Sequence, residues 1–155
     1  NVLNDKGYRY DVIEAVVTCG YDNLTETLLR AEALNKMQAT DTFAKVLTAF
    51  TRANNLAKKA GGSEVNAEYL VEEVEKQLWN DVQFAETAIA NQVQDRLYAE
   101  ALTVISTLEE SISAFFDGVM VMDENENIKN NRLALLVRVS ALSNKIADLT
   151  KIVQA

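Results

Sequence analysis

FFDGVMVMDENENIKNNRLALLVRVSALSNKIADL, residues 115–149, is the stretch around which the rest of the chain is ordered. Asp123 stands where an N-cap is needed, and Glu126 follows three residues later as a capping-box partner, so a helix is predicted to start there. Beyond it, Ile128, Leu135, Val139, Leu142, Ile146, Leu149 and Val153 recur at spacings of three, four or seven. At about 100° per residue they form one apolar stripe. Leu133, Leu136 and Val137 add a second apolar face to the front half. An element apolar on two sides is packed on both, which makes this the expected centre of the fold and its most buried helix.

Arg132 interrupts the stripe. A buried, unpaired guanidinium is costly, so Arg132 must pair or reach water. Asp117 and Asp123 are the nearest upstream carboxylates. A structural ion pair with one of them is the favoured reading, and a phosphate contact is the other.

The rest of the composition points the same way. The chain has 155 residues, 48% of them hydrophobic, with no proline and five glycines. That suits a single domain of helices with short connections and an ordered core. The prediction is an all-α bundle of about six or seven helices without a sheet. No apolar run approaches the roughly 18 residues of a membrane span, and no signal peptide is visible. The single Cys19 excludes an internal disulfide framework and fits a reducing cytoplasm. Its expected role is that of a small buried apolar residue. The chain begins at Asn1 with no initiator Met, so it is expected to be a piece of a longer protein.

Net charge is −8, which opposes indiscriminate binding to nucleic acid. The charge is unevenly spread. Residues 41–60 carry four basic side chains and one acidic, and residues 128–155 carry five and one, whereas residues 61–127 carry two and fifteen. The two basic blocks are therefore read separately from the acidic middle.

In chain order, residues 8–19 place Tyr8, Val12, Val16 and Cys19 at helical spacing, with Gly20 as a stop. Asn23 and Glu26 form a second capping box, opening a helix to about Met37. Thr40 or Asp41 is expected to cap a third helix, apolar along Phe43, Val46, Leu47, Phe50, Ala53 and Ala57 and ended by Gly61-Gly62. On that helix Lys45, Arg52 and Lys59 lie seven residues apart, within about 40° of one another and roughly opposite the apolar side. Asn55 and Lys58 lie close by. An ordinary solvated face is one reading of this strip, and a polyanion contact is the other. Ser63 or Asn66 is expected to cap the next helix, whose Glu68, Glu72, Glu73 and Glu75 are read as an acidic solvated face. Trp79-Asn80-Asp81 reads as a break, followed by a short helix over residues 82–93. A longer one follows, with Leu97, Ala101, Val104, Leu108, Ile112 and Phe115 on one side. The apolar Phe116, Val119, Val121 and Met122 make the connection after it a packed one, with Gly118 at a bend.

No chemistry-bearing constellation is present. The chain has no histidine, no CxxC pair, no phosphate-binding glycine loop and no serine with a plausible base. A di-iron carboxylate site needs Glu-x-x-His, which cannot occur here. The residues alone give an acidic, all-helical domain with two basic helices and no catalytic group.

Word order goes further. RYDVIEAV at 9–16, RAEAL at 30–34, TAFTRANNLAKKA at 48–60, YAEALTVI at 98–105, FFDGVMVM at 115–122, NNRLALL at 130–136 and IADLTKIV at 146–153 occur in register. Together they resemble the C-terminal part of the bacterial glycyl-tRNA synthetase beta subunit over nearly the whole of residues 1–155. The resemblance implies a helical anticodon-binding domain of the DALR kind, similar to that of arginyl-tRNA synthetase. It also implies tRNA(Gly) as partner, an alpha subunit in an alpha2beta2 assembly, and chemistry with ATP and magnesium confined to that alpha subunit. No cofactor, DNA or membrane is implied for the fragment itself. TAFTRANNLAKKA keeps the family's Arg-x-x-Asn as Arg52 and Asn55 and its paired lysines as Lys58 and Lys59, with Thr51 where the pattern has lysine. The letters DALR are replaced by NNRLALL. Under this resemblance Lys45, Arg52, Asn55, Lys58 and Lys59 are expected to meet RNA, while Arg132 keeps its structural role. The alternative is a helical scaffold that holds synthetase subunits together.

Overall fold

The computed structural model describes residues 10–17 and 24–152. Tyr8, Cys19, Gly20, Asn23 and Val153, each given a part in the sequence reading, lie outside the described residues. Seven α-helices succeed one another among them, with no strand: α1 (Tyr10–Val17), α2 (Leu24–Gln38), α3 (Phe43–Ala57), α4 (Glu73–Gln94), α5 (Tyr98–Thr107), α6 (Glu109–Gly118) and α7 (Glu126–Asn144). Short 3-10 turns occur at Ala67–Tyr69 and Leu149–Lys151. The all-α bundle is as expected, and none of the described helices is long and apolar enough to cross a membrane.

The expected centre is the observed one. Ten residues of α7 are buried, against six in α2, which comes next. Leu133, Leu135, Leu136, Val139 and Leu142 point into one continuous core with Val46, Leu47 and Phe50 of α3, Leu78 and Val82 of α4, and Ile105, Ile112 and Phe115 of α5 and α6. The α3–α7 pair is the most extensive helix contact. A polar bond marks its register, as Ser140 Oγ donates to Asn54 Oδ1 at 2.6 Å.

Several boundaries differ from the sequence reading. Asn125, not Asp123, caps α7, its side chain accepting from the N–H groups of Asn127 and Ile128. Asp123 instead accepts from the Asn125 N–H and shapes the turn before the cap. α7 stops at Asn144, short of Leu149. Asp148 caps the following 3-10 turn and donates its own N–H to Ala15 O of α1 at 2.9 Å, so the chain turns to dock on the first helix. Ile146 and Leu149 are still buried, but from outside the helix. Thr42 precedes α3 without a side-chain cap, while the Thr40 hydroxyl closes the end of α2 by donating to Met37 O.

The break expected at residues 79–81 is absent. α4 runs through it for 22 residues, because Leu78, Val82, Ala85 and Ile89 form one uninterrupted buried stripe. Asp81 supports the helix by accepting from Gln77 Nε2 one turn earlier, and it accepts the Ser111 hydroxyl of α6. The long helix expected after it is instead two. α5 and α6 meet at Leu108, whose N–H bonds to Ile105 O, while Thr107 Oγ1 donates to Val104 O. The 119–122 connection is only partly packed: Val121 is buried, but Met120 and Met122 are exposed. Gly118 closes α6, and its role is close packing: a Cβ there would come within 2.9 Å of Val74 Cγ2 on α4. Asn66 caps the 3-10 turn at 67–69, and α4 opens further on, at Glu73.

Candidate nucleic-acid interface

α3 buries Val46, Leu47, Phe50 and Ala53 against the core, and its other side carries the basic strip. Lys45, Arg52, Asn55, Lys58 and Lys59 are all exposed. Lys45, Lys58 and Lys59 make no ion pair within 4.0 Å among the described residues. The helix ends at Ala57, so the lysine pair sits just beyond its last turn, in backbone tightened by Lys59 N–H to Leu56 O and Ala60 N–H to Ala57 O. Two positive charges at a helix C-terminus are favourably placed against the helix dipole. Lys58 keeps a right-handed helical backbone, so the lysine pair continues from the last turn of α3 in tightened form.

Arg52 is held in place. Its guanidinium lies over the Phe116 ring of α6, 4.1 Å from the centroid, and Phe116 in turn packs edge-on to Phe115. One side of the guanidinium plane is thus occupied by an aromatic ring, and such a fixed, planar cation suits stacking with a base or bonding to phosphate. Clefts open on both sides of it. One, of about 490 Å³, lies between α3 and α6 and includes Lys45, Arg52, Glu109 and Asp117. The other, of about 620 Å³, includes Thr48, Arg52, Asn55 and Thr150. Of the two adjacent asparagines, Asn54 turns inward to Ser140 and Asn55 turns outward into this second cleft.

Arg132 is buried and ion-paired, with Asp123 as expected and with Glu75 in addition. Its main partner is Glu75 of α4, with Nη2 2.9 Å from Oε1. Nη1 donates to Met120 O at 2.8 Å and approaches Asp123 Oδ2 at 3.5 Å. Asp117 is not a partner. It stands exposed near the end of α6, on the cleft that holds Lys45 and Arg52. Glu75, read as part of a solvated face, is 0% exposed. Its Oε1 also accepts the Glu72 N–H at 3.0 Å, which ties the start of α4 to the same site. Arg132 therefore joins α4, α7 and the 119–125 loop, and its burial leaves it no route to an external phosphate.

α7 carries a second arginine, which no break in the apolar pattern marks. Arg138 makes a two-pronged bond to Glu86, both distances 2.7 Å, and lies 5.1 Å over the Trp79 ring. The Glu86 hydrogen bonds hold its pKa above the ordinary guanidinium value. Its Nη1 reaches Ser63 O at 3.4 Å, which pins the loop after Gly61-Gly62 to α7.

The family described as DALR anticodon binding domain matches residues 46–153, which contain α3 from Val46 onward and all later helices. The chain is similar to the glycine–tRNA ligase beta subunit of Desulforamulus reducens, 40% identical over 152 residues that cover 98% of this chain and 22% of that protein. The beta subunit of Clostridioides difficile is 37% identical over 99% of the chain and 22% of its own length. That of Myxococcus xanthus is 36% identical over 94% and 21%. The chain thus spans about a fifth of the length of the curated relatives it matches.

Proposed function

Because the chain belongs to the DALR anticodon binding domain family, we propose that it receives the anticodon arm of tRNA(Gly) as a domain of a glycine–tRNA ligase beta subunit. The observation that carries this reading is the exposed cationic group Lys45, Arg52, Lys58 and Lys59, collected on one side of a chain whose net charge is −8. Phosphate contacts from such side chains position an RNA, and unstacked bases are then read by stacking and edge hydrogen bonds. Arg52 on Phe116 and the outward Asn55 are suited to the second task. In this reading the domain works in the cytoplasm as part of an alpha2beta2 assembly. The alpha subunit carries out aminoacylation with ATP and magnesium, and this chain supplies affinity and register without catalytic groups.

The test is binding of the purified chain to the anticodon stem-loop of a glycine tRNA across a range of salt. Binding is expected to be modest and steeply salt-dependent, and Lys45/Lys58/Lys59 triple alanine is expected to reduce the salt slope by about two to three. Asn55→Ala is expected to leave the slope nearly unchanged and to relax preference at one base by about 1–3 kcal/mol. Asp117→Asn removes a negative charge from the cleft of Lys45 and Arg52, and should strengthen binding about two- to fivefold at low salt. A triple variant with wild-type affinity and slope would remove α3 from the interface. Binding insensitive to salt would favour the helical scaffold instead.

A further inference from the structure

The loop that follows the lysine pair forms one wall of a second site. Residues 61–69 lie against the first turns of α7 and enclose an open cleft of about 630 Å³, in the size range of small-molecule pockets. Two bonds fix this wall to α7. Asn131 Oδ1 accepts the Asn66 N–H at 2.7 Å, and Arg138 donates to Ser63 O. The cleft is therefore formed before any occupant arrives.

Its chemistry is distinctive. Asn127, Asn130 and Asn131 supply three amides from α7, Tyr69 an aromatic ring, and Glu64 a carboxylate. No lysine or arginine lines it. Asn131 is 4% exposed, and because its oxygen is committed to Asn66, its amide nitrogen is a buried donor with no partner. Such a group is costly unless something accepts from it. A carboxylate and the absence of cations exclude a phosphate from the cleft. Amide donors and acceptors around a ring fit instead a neutral, flat, hydrogen-bonding group. Lys58 and Lys59 precede the first residue of the cleft wall, Gly61, by three and two positions in the chain.

We propose that this cleft takes an unpaired nucleobase of the RNA, with Asn131 donating to it, Asn127 and Asn130 reading its edge, Tyr69 stacking on it, and Lys58 and Lys59 holding the phosphates beside it. The proposal rests on the RNA-binding reading above and assigns one loop base to a definite place. It also accounts for the paired asparagines of NNRLALL: Asn130 and Asn131 face the cleft, and Arg132 turns into the core.

The experiment uses the purified chain and the anticodon stem-loop of a glycine tRNA, with each loop base replaced in turn by an abasic site. For the wild type, one abasic position is expected to weaken binding about tenfold. Asn127→Ala/Asn130→Ala, both at exposed helix positions, should lose a similar factor, keep the salt slope, and become indifferent to that same abasic site. Tyr69→Ala should behave alike, and Asn131→Ala provides the direct test of the buried donor where circular dichroism shows it folded. If the wild type binds with salt dependence but the double variant responds to every abasic site as the wild type does, the cleft holds no base and the RNA-binding reading stands without it. If the wild type fails to bind the stem-loop even at low salt, both readings fall.

Discussion

Arg132→Ala is expected to destabilise the chain by about 3–5 kcal/mol, the cost of leaving a buried charge without its counter-ion. Glu75 has no exposure, and Arg132 Nη2 at 2.9 Å is the cation that neutralises it. The Glu72 N–H would remain as its hydrogen-bond donor, and a single amide does not balance a carboxylate. Met120 O would lose its donor at the same time, freeing the 119–125 loop from α7. For a domain of this size the loss is a large part of total stability and corresponds to a fall in melting temperature of about 10 °C. Glu75→Leu combined with Arg132→Met provides the control. With no charge left in the site, much of the loss should be recovered, because apolar packing of similar volume replaces a buried ion pair at little cost. Urea denaturation followed by circular dichroism reads both results. A single-variant loss below about 1 kcal/mol would mean that water reaches Glu75 readily.

The two halves of this pair differ in how visible they are in the sequence. Arg132 stands out because it occupies an apolar position of a clear stripe. Glu75 has the same signature. It falls in phase with Leu78, Val82, Ala85 and Ile89, at offsets of three, seven, ten and fourteen, so a charge on the buried line of α4 was there to be found. The surrounding Glu72 and Glu73 are exposed and conceal it within what reads as one acidic face. The same stripe would have removed the break expected at residues 79–81. The division at Leu108 is of another kind. Ala101, Ile105, Leu108, Ile112 and Phe115 stay in phase across the α5–α6 junction, so periodicity cannot register a local tightening of the backbone there.

The candidate interface divides along similar lines. The positions of Lys45, Arg52 and Asn55 on one side of α3 follow from helical spacing alone. The platform beneath Arg52 does not, since Phe116 lies 64 residues further along the chain, and only the α3–α6 contact brings the two together. The asparagine cleft joins residues 61–69 to residues 127–134 in the same way. Its asparagines read as polar helix positions until the loop is seen to lie across them.

Leu135→Ala is the other change expected to be severe, at about 2–5 kcal/mol. The side chain is completely buried at the middle of α7, the helix that meets α3, α4 and α5 at once. Removing it takes away apolar contact and leaves a cavity that packed helices on several sides fill only in part. Leu142→Ala, two turns later and equally enclosed, is expected to cost a similar amount. The position of Leu135 gives the measurement a second use. It lies one helical turn after Asn131, so the cavity would open beside the residue that holds Asn66 and the cleft wall. Leu135→Ala combined with Asn131→Ala should therefore depart from additivity by more than about 0.5 kcal/mol, whereas Leu142→Ala with Asn131→Ala, three turns apart, should add. Strict additivity of both pairs in urea denaturation would mean that the cleft wall and the core of α7 are energetically independent. A loss below about 0.5 kcal/mol from either leucine alone would contradict its burial.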